Sequence, residues 1–284
     1  MADLPTVGDL LASARRRLAF LTDTPDLDSQ VLLAHILNRP RAWLHTHPGF
    51  QPSPTQFDAF EQALQVLEAG RPLPYVIGRW EFFGLEFKVT PAVLIPRPET
   101  ELLVEQALSW LSTHPNRRLA ADAGTGSGCI AISLAVKIPD LRLLASDISI
   151  AALRVAQANA AMHQVSDRVY FVQADLVPPV KPPFDLLCAN LPYIPASRLP
   201  TLDVYHKEPP SALDGGQQGL DIIRRLLAGI PGRLSPGGRA LLEIDATQGE
   251  IAAALAASAF PEAEIYVQKD LAGLERLLII DLPA

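Results

Sequence analysis

The sequence predicts an α/β protein with a doubly wound sheet, preceded by a small helical bundle and joined to it by a β-hairpin. Three observations carry that prediction. From residue 97 onward apolar strands alternate with amphipathic helices, the pattern of a mostly parallel sheet covered on both faces. The first of those strands runs into a glycine-rich turn, ADAGTGSG at 121–128. Three successive strands carry an acid at their carboxyl ends, where ligands bind in sheets of this kind.

Residues 1–75 carry helical periodicity. TVGDLLASARRRLAFL opens with Thr6 as an N-cap, with Leu10, Leu11, Ala14 and Leu18 on one face. LDSQVLLAHILN and SPTQFDAFEQALQVLEAG repeat the pattern, the latter capped by Ser53 or Thr55 and closed by Gly70. Trp43, Phe57 and Phe60 are expected to pack this bundle. Residues 76–96 change character: aromatic and β-branched residues flank Gly84 in GRWEFFGLEFKVTPAVLIP, a hairpin pattern. Residues 97–284 then read as a helix (PETELLVEQALSWL), the strand RLAADAG, the helix CIAISLAVKI, the strand LRLLASDI and the helix IAALRVAQANAAMH. The strands RVYFVQAD and FDLLCAN follow, then the helix LDIIRRLLAGI, the strand GRALLEID, the helix QGEIAAALAAS and two closing strands, EIYVQKD and ERLLIIDL.

Bulk composition narrows the function. The chain has 284 residues, 49% hydrophobic and 19% charged, enough for a full core and unlike a disordered chain. A net charge of −7 and a pI near 5.4 argue against a general nucleic-acid binder, whose affinity rests on neutralising phosphates. No direct nucleic-acid partner is therefore expected, although Arg15–Arg17 form a local cluster. The two cysteines, Cys129 and Cys188, sit in apolar runs and read as reduced, buried thiols of a cytoplasmic protein. No signal pattern and no apolar run of membrane-spanning length is present, so no membrane partner is expected. His35, His45 and His47 have no cysteine partners, and no metal is expected.

The glycine turn holds Gly124, Gly126 and Gly128, which free the backbone to take positive φ and to approach a ligand closely. Its spacing differs from the dinucleotide fingerprint, and it lacks the Gly-Lys-Ser/Thr ending of a phosphate loop. Asp147, ending the next strand, can accept hydrogen bonds from two ribose hydroxyls. Asp175, ending the strand after that, can face an adenine amino group. Caps and solvated loop ends would explain any one of these acids. Together with the glycine turn they suit a cofactor with adenosine and no pyrophosphate, S-adenosyl-L-methionine (SAM).

This arrangement resembles the class I SAM-dependent methyltransferases, whose Rossmann-like sheet has seven strands and a reversed final hairpin. The resemblance implies a cofactor site made by Asp122, Gly124, Thr125, Gly126, Ser127, Gly128, Asp147, Asp175, Leu176 and Asn190.

The strand FDLLCAN ends on Asn-Leu-Pro-Tyr, residues 190–193. The Asn190 side chain offers a carbonyl acceptor, and the Leu191 carbonyl offers a second because Pro192 holds residue 191 extended. Two converging acceptors suit a planar NH₂ group, and Tyr193 supplies a flat face. Amide and exocyclic amine nitrogens are poor nucleophiles, so positioning and electrostatics would supply the rate. Asn190, Leu191, Pro192 and Tyr193 are accordingly the expected catalytic residues. The usual form of this motif is Asn/Asp-Pro-Pro-Tyr/Phe, and Leu191 replaces its first proline; the Asn-Leu-Pro-Tyr form looks like that of ribosomal RNA adenine dimethyltransferases.

The flanking sequence points elsewhere. WEFFGLEFKVTP, LIPRPETE at 94–101 and EPPSALDGGQQGLD at 208–221 resemble the HemK-type peptide chain release factor N5-glutamine methyltransferases, in the same order and across essentially the whole chain. That resemblance implies methylation of the glutamine in the Gly-Gly-Gln motif of class 1 release factors. It also implies an N-terminal substrate-docking domain and a substrate cleft bordered by Pro96, Arg97 and Glu99 together with residues 190–193. The same Pro98, Glu99 and Glu101 would also suit a plain helix N-terminus. Adenine N6 methylation of RNA or DNA, and a non-catalytic SAM-binding module, are the alternative readings.

Overall fold

The computed structural model describes residues 4–179 and 181–284, and it divides into two compact units, Met1–Arg79 and Trp80–Ala284. The first three residues of the expected 1–75 region lie outside the described residues.

The smaller unit holds α1 (Val7–Leu18), α2 (Pro25–Leu37), α3 (Arg41–Thr46), α4 (Pro54–Glu68) and α5 (Leu73–Ile77). Thr6 and Ser53 each close a capping box, with Asp9 and Gln56 returning the bond to the cap backbone. Its core is Val7, Leu10, Leu18, Leu32, Leu33, Phe60 and Leu64, with Trp43 and Phe57 packed at the edge. Arg17 on α1 donates to both Glu61 and Glu68 on α4, at 2.7 Å and 2.6 Å. α3 and α5 were not foreseen from periodicity, since helices of six and five residues are too short to show one.

The larger unit begins with the hairpin β1 (Arg79–Phe82) and β2 (Leu85–Lys88). Its two-residue turn, Phe83–Gly84, has positive φ at both positions, 54° and 73°, which matches the right-handed twist of the flanking strands. Phe82 and Phe87 carry the hairpin into the unit's core. A 3₁₀ turn, Pro98–Thr100, leads into α6 (Glu101–Thr113). Then follow β3 (Leu119–Ala123), α7 (Cys129–Lys137), β4 (Arg142–Asp147), α8 (Ile150–Met162), β5 (Val169–Gln173) and β6 (Phe184–Ala189). The chain closes with α9 (Asp221–Gly229), β7 (Leu234–Glu243), α10 (Gly249–Ala259), β8 (Glu264–Lys269) and β9 (Glu275–Asp281).

The seven strands lie in the order β5-β4-β3-β6-β7-β9-β8. β3 to β7 are parallel and β9 runs antiparallel to both its neighbours. Successive side chains of β6 enter opposite layers. Leu186 and Cys188 face the core formed with α6 and α7, while Leu187 and Ala189 face the core formed with α9 and α10. Both faces are covered, as a parallel sheet requires.

The strand order reverses between β3 and β6, and the register aligns their ends. Ala123 pairs with Ser146 and with Ala189, and Ala189 pairs with Leu242. Gly124, Asp147, Asn190 and Glu243 therefore stand side by side at the carboxyl edge of the sheet, at its switch point. One strand end differs from expectation. β5 stops at Gln173, so Asp175 lies two residues beyond it in a bend, followed by Leu176 at φ 61°. Both cysteines are free and buried, and burial pushes the Cys129 thiol up to about 12 and the Cys188 thiol well above its ordinary value.

Candidate active site

A cavity of about 390 Å³ opens over this edge of the sheet. The expected residues Pro96, Arg97, Gly124, Thr125, Gly126, Ser127, Asp147, Asp175, Leu176, Asn190, Leu191 and Pro192 line it. The glycine turn is shaped by β4: the amides of Gly124 and Thr125 both donate to the Ser146 carbonyl at 2.9 Å. Gly124 has φ +72°, and a Cβ there would sit 2.9 Å from Leu191 Cδ2, so the turn and the Asn-Leu-Pro-Tyr segment touch where only glycine fits. Asp147 is held from both sides, Oδ2 accepting from Gly126 N at 2.9 Å and Oδ1 from Ser149 N at 2.8 Å. Each oxygen keeps a lone-pair direction for a further donor.

Four expected residues fall outside the cavity wall. Asp122 is fully buried beneath the turn, accepting from the Thr125 hydroxyl at 2.6 Å; burial pushes its carboxyl up to about 7. Gly128 faces helix packing: at φ +83°, a Cβ there would lie 2.7 Å from Ile132 Cδ1 and 3.2 Å from Ala156 Cβ. Glu99 is exposed on the 3₁₀ turn, while Tyr193 lines an adjoining cavity of about 250 Å³ that shares Arg97 and Asn190 with the first. Asp175 reaches the wall but is half exposed and paired with Arg225 of α9, so its carboxylate already has a partner.

Four residues that spacing arguments missed hold the site together. Asn190 Nδ2 donates to Thr100 Oγ1 at 2.9 Å, which leaves Asn190 Oδ1 as the amide's acceptor. Tyr193 donates its hydroxyl to Glu243 Oε1 at 3.1 Å. Glu243 is buried, and burial pushes its carboxyl up to about 7, with the neighbouring Thr100 and Tyr193 hydroxyls acting the other way. The Tyr193 phenol is in turn pushed up, by burial and then by Glu243. Glu208, also buried, pairs with Arg97 and accepts from Ile95 N at 3.0 Å, fixing the Pro96–Arg97 wall from the 208–221 segment. Asn159 on α8 accepts from Lys88 N at 2.7 Å and donates to Lys88 O at 3.0 Å and Ser127 O at 2.8 Å, joining the hairpin to the glycine turn. Two glycines of the 208–221 segment have structural causes: Gly216 N donates to Asp214 Oδ1 in a turn, and a Cβ at Gly219 would collide with the Tyr193 carbonyl. Asp214 apart, none of these partners is close in sequence to the residue it holds.

A seven-stranded sheet of this order, with a glycine turn after its first central strand and a carboxylate after the second, defines a SAM-dependent methyltransferase of the Rossmann-like class. Residues 99–207 match the methyltransferase small domain family, and residues 9–78 match the PrmC N-terminal domain family. The chain is 43% identical to the release factor glutamine methyltransferase of Moorella thermoacetica over 96% of this chain and 98% of that protein. It is 40% identical to that of Bordetella pertussis over 89% of this chain and 93% of that one. The chain belongs to the release factor glutamine methyltransferase family. Among solved structures, the N-terminal domain of human METTL16 is similar at TM-score 0.52 and 17% identity, covering 76% of this chain and 82% of that one. A Thermus thermophilus 16S rRNA methyltransferase solved with AdoMet and guanosine is similar at TM-score 0.52 and 16% identity, over 72% of this chain and 49% of that one. At these identities the two structures share the fold. No helix among the described residues is long and apolar enough to cross a membrane, and no group of three or more His, Cys, Asp or Glu among them is placed to hold a metal ion.

Proposed function

We propose that this protein transfers a methyl group from SAM to N5 of the glutamine in the Gly-Gly-Gln motif of class 1 peptide chain release factors. Family membership supports the reaction, and the observation that carries the residue assignment is the orientation of Asn190. With Nδ2 committed to Thr100, Asn190 offers Oδ1 toward an incoming amide.

The residues fit SAM. The cavity has the volume of a small-molecule site. Gly124 and Gly126 let the backbone lie against a ligand, Asp147 presents two anchored oxygens to a pair of ribose hydroxyls, and Leu176 and Ile148 supply apolar walls for a base. Bound there, SAM supplies an electrophilic methyl group on a sulfonium sulfur.

Asn190 Oδ1 and the Leu191 carbonyl then accept the two N–H bonds of the substrate amide. This pulls the nitrogen lone pair out of conjugation and aims it along the axis of attack. Transfer of the sulfonium methyl group to that nitrogen would leave S-adenosylhomocysteine and, with the nitrogen's proton lost to solvent, N5-methylglutamine. Tyr193 keeps its ring in place through Glu243 and offers it to the amide plane. Arg97, held by Glu208, borders the entry for the loop that carries the glutamine. The N-terminal unit docks the release factor.

Methyl transfer from labelled SAM to a purified class 1 release factor tests this reading, with the factor's Gln→Ala loop variant and ribosomal RNA in parallel. Label on the wild-type factor alone is expected. Label on RNA alone would assign the Asn-Leu-Pro-Tyr segment to an adenine amine.

A further inference from the structure

We infer that Glu243 and Thr100 form a hydrogen-bond relay that sets which end of the Asn190 amide faces the substrate, making both of them positioning residues for methyl transfer. The inference rests on the amide-methylating reading given above and extends it to two residues outside the Asn-Leu-Pro-Tyr segment.

An asparagine amide has two ends of nearly equal shape, and only one can accept an N–H hydrogen bond. A side chain that turned its NH₂ toward the substrate would repel the very hydrogens it should bind. Asn190 must therefore be told which way to face, and its only side-chain partner among the described residues is Thr100 Oγ1, at 2.9 Å. A threonine hydroxyl is ambiguous, because it can donate or accept. What removes the ambiguity is the third member. Glu243 ends β7, beside Asn190 in the register, and its carboxylate faces the hydroxyls of Thr100 and Tyr193. Ionised, as it is above about pH 7, this carboxylate only accepts. The Tyr193 hydroxyl donates to Oε1 at 3.1 Å; Oε2 is buried with no partner in regular hydrogen-bond geometry, and Thr100 is the other hydroxyl facing the group. The Thr100 proton is drawn toward Glu243, its oxygen is left as an acceptor, and Asn190 must answer with Nδ2. Oδ1 then faces the cavity.

Burial is what makes the relay directional. Thr100 and Glu243 are each 2% exposed, so water cannot substitute for a missing partner or offer Thr100 an alternative acceptor. The same carboxylate fixes Tyr193, so one buried acid orients both the polar and the aromatic side chains of the segment. Local spacing cannot reveal this: Thr100 precedes Asn190 by 90 residues, and Glu243 follows it by 53 (243 − 190).

The test compares the full chain with Thr100→Val, which keeps the shape and removes the hydroxyl, Thr100→Ser, which restores it, and Glu243→Gln, whose NH₂ can donate back to Thr100. Two readouts are taken. The first is methyl transfer to a class 1 release factor, resolved into kcat and KM, with SAM affinity by calorimetry. Thr100→Val and Glu243→Gln are expected to lower kcat by about 10²-fold, the cost of a misplaced reacting group. SAM affinity should stay within about threefold of wild type, and Thr100→Ser should recover most of kcat. The second needs no acceptor: the Asn190 side-chain ¹⁵N–¹H resonances, assigned by their absence in Asn190→Asp. A hydrogen-bonded Nδ2 proton is expected in wild type and Thr100→Ser and should be lost in Thr100→Val and Glu243→Gln. Persistence of that signal in both variants, or wild-type kcat in Thr100→Val, overturns the relay. If the wild type methylates no release factor while the resonance pattern is as expected, the relay stands and the proposed substrate falls.

Discussion

Asp147 and Asn190 have separable tasks, because their side chains are anchored by different neighbours. Asp147 is tied to the glycine turn and to the start of α8, whereas Asn190 is tied to Thr100. Asp147→Ala removes the carboxylate proposed to serve the ribose and loosens Gly126, so SAM affinity is expected to fall about tenfold or more, the loss of one or two charge-assisted hydrogen bonds. Asn190→Ala should leave SAM affinity within a few-fold of wild type while methyl transfer drops below detection. Calorimetry with each variant, alongside turnover, checks the pair, and a large loss of SAM affinity in Asn190→Ala would contradict it. At this scale the sequence is readable where a residue's chemistry and its local spacing coincide. Gly124, Asp147 and Asn190 each stand at the carboxyl tip of a strand and could be named from that alone. Thr100, Glu208 and Glu243 could not, since a buried threonine or glutamate carries no local signal and the partner that gives it meaning is supplied by the sheet register. Asp175 was legible as an acid after a strand, but not its pairing with Arg225, which comes from α9.

At the scale of elements, the hairpin and α8 shape the cofactor turn through a single side chain. Asn159 is fully buried and makes three hydrogen bonds, two to the backbone of Lys88 in β2 and one to the Ser127 carbonyl. Replacing it by leucine removes the partner of three backbone groups; the buried Ser127 carbonyl is left unsatisfied at roughly 1–3 kcal/mol, and the two of Lys88, nearer solvent, cost less. Asn159→Leu is therefore expected to lower the denaturation midpoint and to weaken SAM binding together, read by urea unfolding and calorimetry on the same sample. Unchanged SAM affinity would mean that the turn holds its shape without the hairpin. Strands and long helices could be located from the sequence because burial on two faces imposes a period over many residues. The α8 pattern is visible in IAALRVAQANAAMH, yet nothing in it distinguishes Asn159 from a polar residue on a solvated face. α3 and α5 escaped notice because one turn, opened by a proline, has no period to detect.

Over the whole molecule, two buried carboxyls set how stability depends on pH. Asp122 and Glu243 both rise to about 7, chiefly through burial, from ordinary values of 3.8 and 4.5. Glu243 is faced also by Tyr193, Glu99, Arg276 and Thr100, and Asp122 by Thr125, the Ala131 amide and Asp147. Between about pH 4 and pH 7 the folded chain holds these protons while the unfolded chain has lost them, so raising pH through that window lowers stability. Asp185 and Asp270 act in the opposite sense. Burial works to raise Asp185, but the Leu119 and Arg118 amides, Arg117 and Ser235 outweigh it, while the Leu274 amide, Arg276 and the Ala272 amide hold Asp270 down. Their stabilisation is present above the ordinary carboxyl range and is lost only as pH falls below it. The melting temperature of the SAM-free protein is expected to fall by several degrees from pH 5 to pH 7.5, and Asp122→Asn with Glu243→Gln should flatten that limb. The same ionisation bears on turnover, because only ionised Glu243 fixes the Thr100 hydroxyl as an acceptor toward Asn190. kcat should rise with pH through about 7 in wild type and lose that step in Glu243→Gln.

The two units also make separable contributions, because each has a core of its own. The smaller packs Val7 to Leu73 among themselves, and the larger closes two cores, one on each face of the sheet, from Phe82 to Ile280. Every residue lining the two cavities of the candidate active site belongs to Trp80–Ala284. Removing residues 1–79 therefore takes away no group proposed to touch SAM or the amide, and it leaves the hairpin that Asn159 ties to the glycine turn nearly whole. If the N-terminal unit docks the release factor, the truncated protein should bind SAM within a few-fold of the full chain. Its KM for the factor should rise by at least about tenfold, a loss of about 1.4 kcal/mol or more in binding, with a smaller change in kcat. Calorimetry and steady-state kinetics on the two proteins give both numbers. Equal loss of SAM binding and of methyl transfer would make the helical unit part of the folded catalytic body instead of a docking module. An unchanged KM would place recognition of the factor on the larger unit, where Arg97 and the 208–221 segment border the entry to Asn190.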